Sequence, residues 1–91
     1  MPAVCRFKFP DGLDTEIIEA QLALAIIVAE CAFGQAKVRI SAAYCISKEK
    51  PQVAIDVSTE VGEHIAQVFT GLMIRQIGED RFTVDRLTGK E

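Results

Sequence analysis

The chain has 91 residues and a mass of 10.0 kDa, which is enough for one hydrophobic core but not for two. Hydrophobic residues make up 49% of it, and six glycines with three prolines exclude a collagen-like or disordered chain. The formal net charge is −3, whereas nonspecific binding to nucleic acid or anionic lipid depends on excess positive charge. We therefore predict one folded domain over residues 1–91, in which only a local basic patch would allow either of those partners.

The beginning of the sequence and its cysteines predict a cytoplasmic protein. No basic segment leads into an apolar run at the start, as an export signal requires. The longest uncharged apolar run, around Ala20 to Ala29, is well below the roughly 20 residues that span a bilayer. Cys5, Cys31 and Cys45 are far apart and form no CxxC pair, so we expect ordinary buried or half-buried thiols rather than disulfides or a zinc site.

The first elements in chain order are a strand and a helix. Residues 3–9 alternate between apolar and basic side chains, which is typical of a half-buried strand, and a turn-forming sequence follows. Asp14 or Thr15 can cap a helix, and Gly34 is a natural stop for it. The pattern therefore predicts a first helix over residues 15–33.

The middle of the chain predicts a hairpin and then a second helix. Polar and apolar residues alternate over residues 37–46, are interrupted by a charged segment with a proline, and alternate again over residues 53–57. Ser58 or Thr59 then opens a helix with an apolar stripe, and Gly78 ends it.

A last short strand around Phe82 and Val84 completes the order βαββαβ. Right-handed crossovers applied to this order predict a ferredoxin-like sandwich, an α+β fold in which two helices cover one face of a four-stranded antiparallel sheet. Because this fold carries many unrelated activities, it limits the function very little.

The first helix is unusually apolar for an element of a two-layer fold. Between Glu16 and Phe33 only four residues are polar, so burying one side of the helix leaves Ile26 and Ile27 beside carboxylates on the other. Burial of such side chains is worth about 1.5–3 kcal/mol each, enough to favour association. We predict that Ile26 and Ile27 contact a second copy or another protein; the alternative is a helix set deep in its own core.

The face of the sheet away from the helices is expected to be polar with a basic bias. The predicted strands place four cations there, against the carboxylates of Asp56 and Asp85. These candidate ligand-binding residues are Arg6, Lys8, Lys37 and Arg39. They suit a phosphate or carboxylate of a small ligand. The alternative is a solvated face with cross-strand ion pairs, for example Arg6 or Lys8 with Asp56 or Asp85.

Two other functions receive less support from the sequence. RNA recognition on a sheet needs exposed aromatic residues, whereas every strand aromatic here lies in the core phase; Lys37, Arg39 and Lys48 are the cations left for a phosphate backbone. The only histidine, His64, is expected on the exposed side of the second helix without a spacing that implies catalysis or metal binding. The sequence also lacks a phosphate-binding P-loop and a dinucleotide GxGxxG motif.

We therefore predict a small non-catalytic binding or regulatory module, without metal or cofactor and acting as a homo-oligomer or with a protein partner. The first alternative is an enzyme whose site is completed at a subunit interface, where His64 or Cys45 gains partners from another chain. The second is nucleic-acid binding through the basic sheet face.

Overall fold

The computed structural model describes residues 3–47 and 49–88. It shows an α+β fold with a four-stranded antiparallel sheet and, in the part of the chain described, three α-helices. The elements in chain order are β1 (Ala3–Lys8), α1 (Thr15–Phe33), α2 (Gln35–Ser41), β2 (Tyr44–Ile46), β3 (Gln52–Asp56), α3 (Glu60–Ile77), a 3₁₀ turn (Glu79–Arg81) and β4 (Thr83–Thr88).

The strands lie in the order β2-β3-β1-β4, so β1 is central and pairs with both β3 and β4. Phe7 is opposite Val53 on one side and Val84 on the other. The next position, Arg6, is opposite Ala54 and Asp85. Because successive residues of a strand point to opposite faces, this register places Cys5, Phe7, Val53 and Ile55 on one face and the charged residues of β1 and β3 on the other.

The core lies between the apolar face of the sheet and the helices α1 and α3. In β1 the predicted alternation is confirmed, since Cys5 and Phe7 are buried while Arg6 and Lys8 are exposed. The ring of Phe7 packs edge to face on Phe69 of α3, with 5.0 Å between ring centroids. Large buried side chains from the sheet and both helices thus form one continuous cluster.

Both long helices begin at the caps that the sequence predicts. An Asp14 carboxylate oxygen accepts a hydrogen bond of 2.9 Å from the backbone N–H of Glu16, at the start of α1. The Thr59 hydroxyl oxygen accepts one of 3.0 Å from the N–H of Gly62, at the start of α3. Since each bond satisfies a backbone donor that the first helical turn leaves free, the helix boundaries follow from local chemistry.

The predicted strand over residues 37–46 is wrong in its first half, where the chain forms α2. Gly34 ends α1 with a φ of +91°, a conformation that favours glycine, and its carbonyl then accepts the N–H of Val38 in a new helical turn. Val38 is the only buried residue of α2, whereas Ile40, which has the same phase in the predicted strand, is 85% exposed. In a segment of seven residues with one buried side chain, the hydrophobic pattern does not distinguish a strand from a helix.

Candidate functional site

The side of α1 that points away from the core is apolar. Its inner side packs into the cluster through Ile18, Leu22, Ala25 and Ala29. On the outer side Leu24, Ile27 and Val28 are 43%, 53% and 38% exposed. A helix that is hydrophobic all round is normally covered on all sides, so the outer side of α1 has the composition of a contact surface.

The centre of this surface is a row of four exposed residues, Ala20, Leu24, Ile27 and Cys31, which we call the α1 seam. Their spacing of four, three and four residues puts them on one line along the helix, as in the contact positions of coiled coils. The charged residues of α1 are Glu16, Glu19 and Glu30, and the helix contains no Lys or Arg. The seam is therefore an apolar line with acidic neighbours.

Of the two predicted contact residues, Ile27 lies in the seam and Ile26 does not. Ile26 is partly buried against the core and lines a small depression with Glu30 and Arg39. Sequence reasoning missed Leu24 and Val28. Their signal was available in the helical period, since a core stripe centred on positions 18, 22, 25 and 29 places Leu24 on the outer side of the helix and Val28 on its flank.

On the open face of the sheet only two of the four predicted cations are found. Arg6 and Lys8 lie there on β1, and Lys8 Nζ is 3.8 Å from an Asp85 carboxylate oxygen on β4. This pair is one of the cross-strand ion pairs that the sequence suggested. It is half exposed, so it contributes little to stability.

The other two predicted cations, Lys37 and Arg39, lie on α2 rather than on a strand. Lys37 Nζ is 3.9 Å from a Glu60 carboxylate oxygen and lies 5.3 Å from the centre of the Phe33 ring. Arg39 lines the depression beside Glu30. The four cations therefore do not converge on one anion, because the helix replaces the strand that was to carry two of them. Lys48 lies outside the described residues.

The rest of the open sheet face is less polar than expected. Small or apolar residues stand at its centre, where Ala54 is opposite Cys45, and at one end, where Val4 is opposite Leu87. Among the residues described, the charges of Arg6 and Lys8 are balanced there by Asp56 and Asp85. Within residues 3–47 and 49–88, this face lacks the basic bias that an anion site or a nucleic-acid site needs.

His64 is not the exposed surface residue that the sequence predicted. Its ring packs edge to face on Phe33, with 5.3 Å between the centroids, because the helical turn carrying it faces the end of α1. Its Nε2 atom is buried and has no hydrogen-bond partner among the described residues. No nucleophile or carboxylate is therefore hydrogen-bonded to this nitrogen in that part of the chain, as general-base catalysis would require.

A groove of about 330 Å³ runs between α3 and β4. Its floor includes Cys5 and Phe7, and at its mouth Arg86 Nη2 donates a hydrogen bond of 3.2 Å to a Glu63 carboxylate oxygen. Burial raises the pKa of the Cys5 thiol; Arg86 lowers it and Glu63 raises it to a smaller extent. The thiol is thus not activated as a nucleophile.

The other two cysteines, Cys31 and Cys45, are exposed and free, which corrects the expectation of buried or half-buried thiols for both. Among residues 3–47 and 49–88 no three His, Cys, Asp or Glu side chains are grouped as metal ligation needs. In the same part of the chain no helix has the length and hydrophobicity to cross a bilayer. The sequence matches no protein-family model, and a search of curated proteins gives no match.

Proposed function

We propose that this chain is a small non-catalytic binding module that acts by protein contact through the α1 seam, with a homo-oligomer as its assembled state. One observation carries the proposal: Leu24, Ile27 and Val28 are exposed on the outer side of a helix whose inner side already fills the core. Fold stability does not require large apolar residues at these positions, whereas association does.

The energy available fits a weak, concentration-dependent complex. Complete burial of a Leu, Ile or Val side chain contributes about 1.5–3 kcal/mol, so these half-exposed residues have about 1 kcal/mol each to gain. Burial of this apolar area on both copies offsets the translational and rotational freedom that association removes. We therefore expect assembly at high protein concentration and dissociation on dilution.

The positions of the histidine and of two cysteines support a non-catalytic role. His64 packs between α3 and the end of α1, Cys45 lies on the open sheet face, and Cys5 is at the floor of the groove. An enzyme completed at a subunit interface would use His64 or Cys45, and substitution of His64 by alanine would then abolish turnover. Roles in binding an anionic ligand or nucleic acid would rest on Arg6 and Lys8 alone on the sheet, with less support.

The proposal is tested by light scattering over a concentration series. Wild type is expected to rise from the 10.0 kDa monomer toward twice that mass. Ile27→Glu is expected to stay monomeric, because assembly would bury its carboxylate against apolar side chains. The matched control is Leu87→Glu, which changes an apolar residue of similar exposure on the open sheet face and is expected to behave as wild type.

A wild type that remains monomeric at every concentration overturns self-association as the function of the seam. The same conclusion follows if Leu87→Glu abolishes assembly and Ile27→Glu does not.

We also propose the ferredoxin-like class for the fold, with α2 as an addition before the second strand. The strand order β2-β3-β1-β4 with long helices after β1 and β3 supports this classification. A cytoplasmic location is part of the same proposal, and the three free thiols of Cys5, Cys31 and Cys45 fit a reducing compartment.

A further inference from the structure

We infer that two copies of the chain pair through their α1 seams in antiparallel orientation, with Ala20 of each copy beside Cys31 of the other. This inference rests on the proposed function and adds the geometry of the contact. It follows from the spacing of the seam, in which the intervals of four, three and four residues read the same in both directions. An inverted second copy therefore presents its seam residues at matching heights.

The sizes of the side chains suit this register. Leu24 of one copy lies at the height of Ile27 of the other, so the two largest residues fill the middle of the contact. At both ends a small Ala20 is opposite Cys31. Small residues at the ends let the two helices approach closely, while the exposed Leu24 and Ile27 supply the buried apolar area.

The charges at the ends of α1 also favour inversion. Asp14, Glu16 and Glu19 lie at the beginning of the helix. The cations Lys37 and Arg39 lie on α2 directly after its end, and Lys37 is already 3.9 Å from the Glu60 carboxylate of its own chain. An antiparallel pair brings the acidic end of each copy to the end where the other copy carries its cations, although Glu30 reduces the positive charge there. The two helix dipoles are also opposed, which is the favourable arrangement.

A parallel pair predicts a different set of neighbours. It places Cys31 beside Cys31 and the acidic beginnings of the two helices side by side, where like charges repel. In the antiparallel pair the two Cys31 residues lie eleven positions apart along the contact, a distance of about 16 Å. Thiol cross-linking with a reagent shorter than this distance separates the two orientations.

The experiment uses the full chain with Cys45→Ser, so that Cys31 is the remaining exposed thiol, and a short bismaleimide as the probe. The inference predicts little covalent dimer for Cys45→Ser alone and mostly covalent dimer for Cys45→Ser with Ala20→Cys. Positions 20 and 31 of one helix are too far apart for the reagent to join them within one chain. The triple variant Ala20→Cys, Cys31→Ser and Cys45→Ser is the matched control and is expected to give little dimer, while Cys31→Ser with Cys45→Ser reports any reaction of the buried Cys5.

Covalent dimer in Cys45→Ser alone would overturn the antiparallel orientation and leave self-association through the seam intact. If light scattering shows dimers but none of these variants is cross-linked, the contact lies elsewhere, and both the inference and the role of the seam are wrong. A chain that is monomeric by light scattering removes the proposed function itself, so the separate failures are distinguishable.

Discussion

At the scale of single residues, Gly62 is held in place by a close approach between α3 and the end of β3. A methyl group at this position would overlap the backbone carbonyl oxygen of Asp56 and would lie 3.2 Å from the Thr59 hydroxyl oxygen. Gly71, in the same helix, has no atom within 4 Å of the corresponding point. A side chain is therefore excluded at Gly62 and not at Gly71. The sequence alone does not distinguish the two positions.

We expect Gly62→Ala to lower the free energy of unfolding by about 2–3 kcal/mol, because backbone atoms rather than a flexible side chain have to move. Gly71→Ala is the control and is expected to raise it by about 1 kcal/mol, since alanine has the higher helix propensity and the space is open. Urea denaturation of both variants measures the two effects. Similar values for the two variants would contradict the close approach at Gly62.

His64 is a second residue whose environment the helical pattern of the sequence did not predict. Its place on the helix was predicted, but its burial depends on the Phe33 ring, which comes from the end of α1. A side chain on the border of a helical stripe becomes buried or exposed according to its neighbour in space. No local pattern contains that neighbour.

At the scale of elements, the connection from β3 to α3 is fixed by the carboxylate of Asp56. One of its oxygens accepts 2.8 Å and 2.6 Å hydrogen bonds from the backbone N–H and the hydroxyl of Ser58. The hydroxyl bond first, and then the backbone bond, lower the pKa of Asp56 below its ordinary value, against a smaller effect of burial. The charged form of the carboxylate thus stabilises the turn that leads into α3.

The lowered pKa of Asp56 has a defined effect on the pH dependence of stability. Folding favours the ionised carboxylate, so its contribution is complete above the ordinary pKa of aspartate and is lost as the pH falls through the lowered value. We expect Asp56→Asn to destabilise the protein more at about pH 7 than at about pH 2, because the contribution of the wild-type charge is lost as the pH falls through the lowered pKa. Denaturation of wild type and variant at both values measures this difference, and an equal destabilisation would show that the charge has no role.

The formation of α2 in place of the first half of a predicted strand also concerns a whole element. The segment from Lys37 to Ser41 alternates polar and apolar residues as a strand does, yet the glycine before it restarts a helix on the end of α1. Val38 is buried in this helix. Ile40, the next apolar residue of the alternating pattern, is exposed and packs on neither face of the sheet. Tertiary contact decided between two structures that the local sequence allows almost equally.

At the scale of the whole molecule, two long helices pack over the middle of the sheet and leave apolar surface outside. Part of it lies along the groove beside β4, and another part lies along α1. Such a small domain buries a limited fraction of its surface, so the proposed assembly would add appreciably to its stability. This connects the proposed contact to a property of the folded state as a whole.

The midpoint of thermal unfolding of wild type is expected to rise by a few degrees for a roughly tenfold increase in protein concentration, because dissociation accompanies unfolding of an associated chain. Ile27→Glu is expected to unfold at the same temperature over this range. Calorimetry or circular dichroism at several concentrations measures both. A concentration dependence shared equally by wild type and Ile27→Glu would place the contact on another surface.

The sequence by itself determined β1, the bounds of α1, the start of α3 after Ser58 or Thr59, and the antiparallel sheet. Each of these depends on short-range chemistry, namely capping hydrogen bonds, glycines that end helices, and hydrophobic patterns that repeat several times along the element. It also predicted apolar surface on α1 around Ile27. Only the tertiary structure decided that Ile26 is partly buried, that Lys37 and Arg39 lie on a helix, and that His64 packs on Phe33. These outcomes depend on which side chains, far apart in the sequence, meet in the folded chain. A local pattern of residues does not specify those contacts.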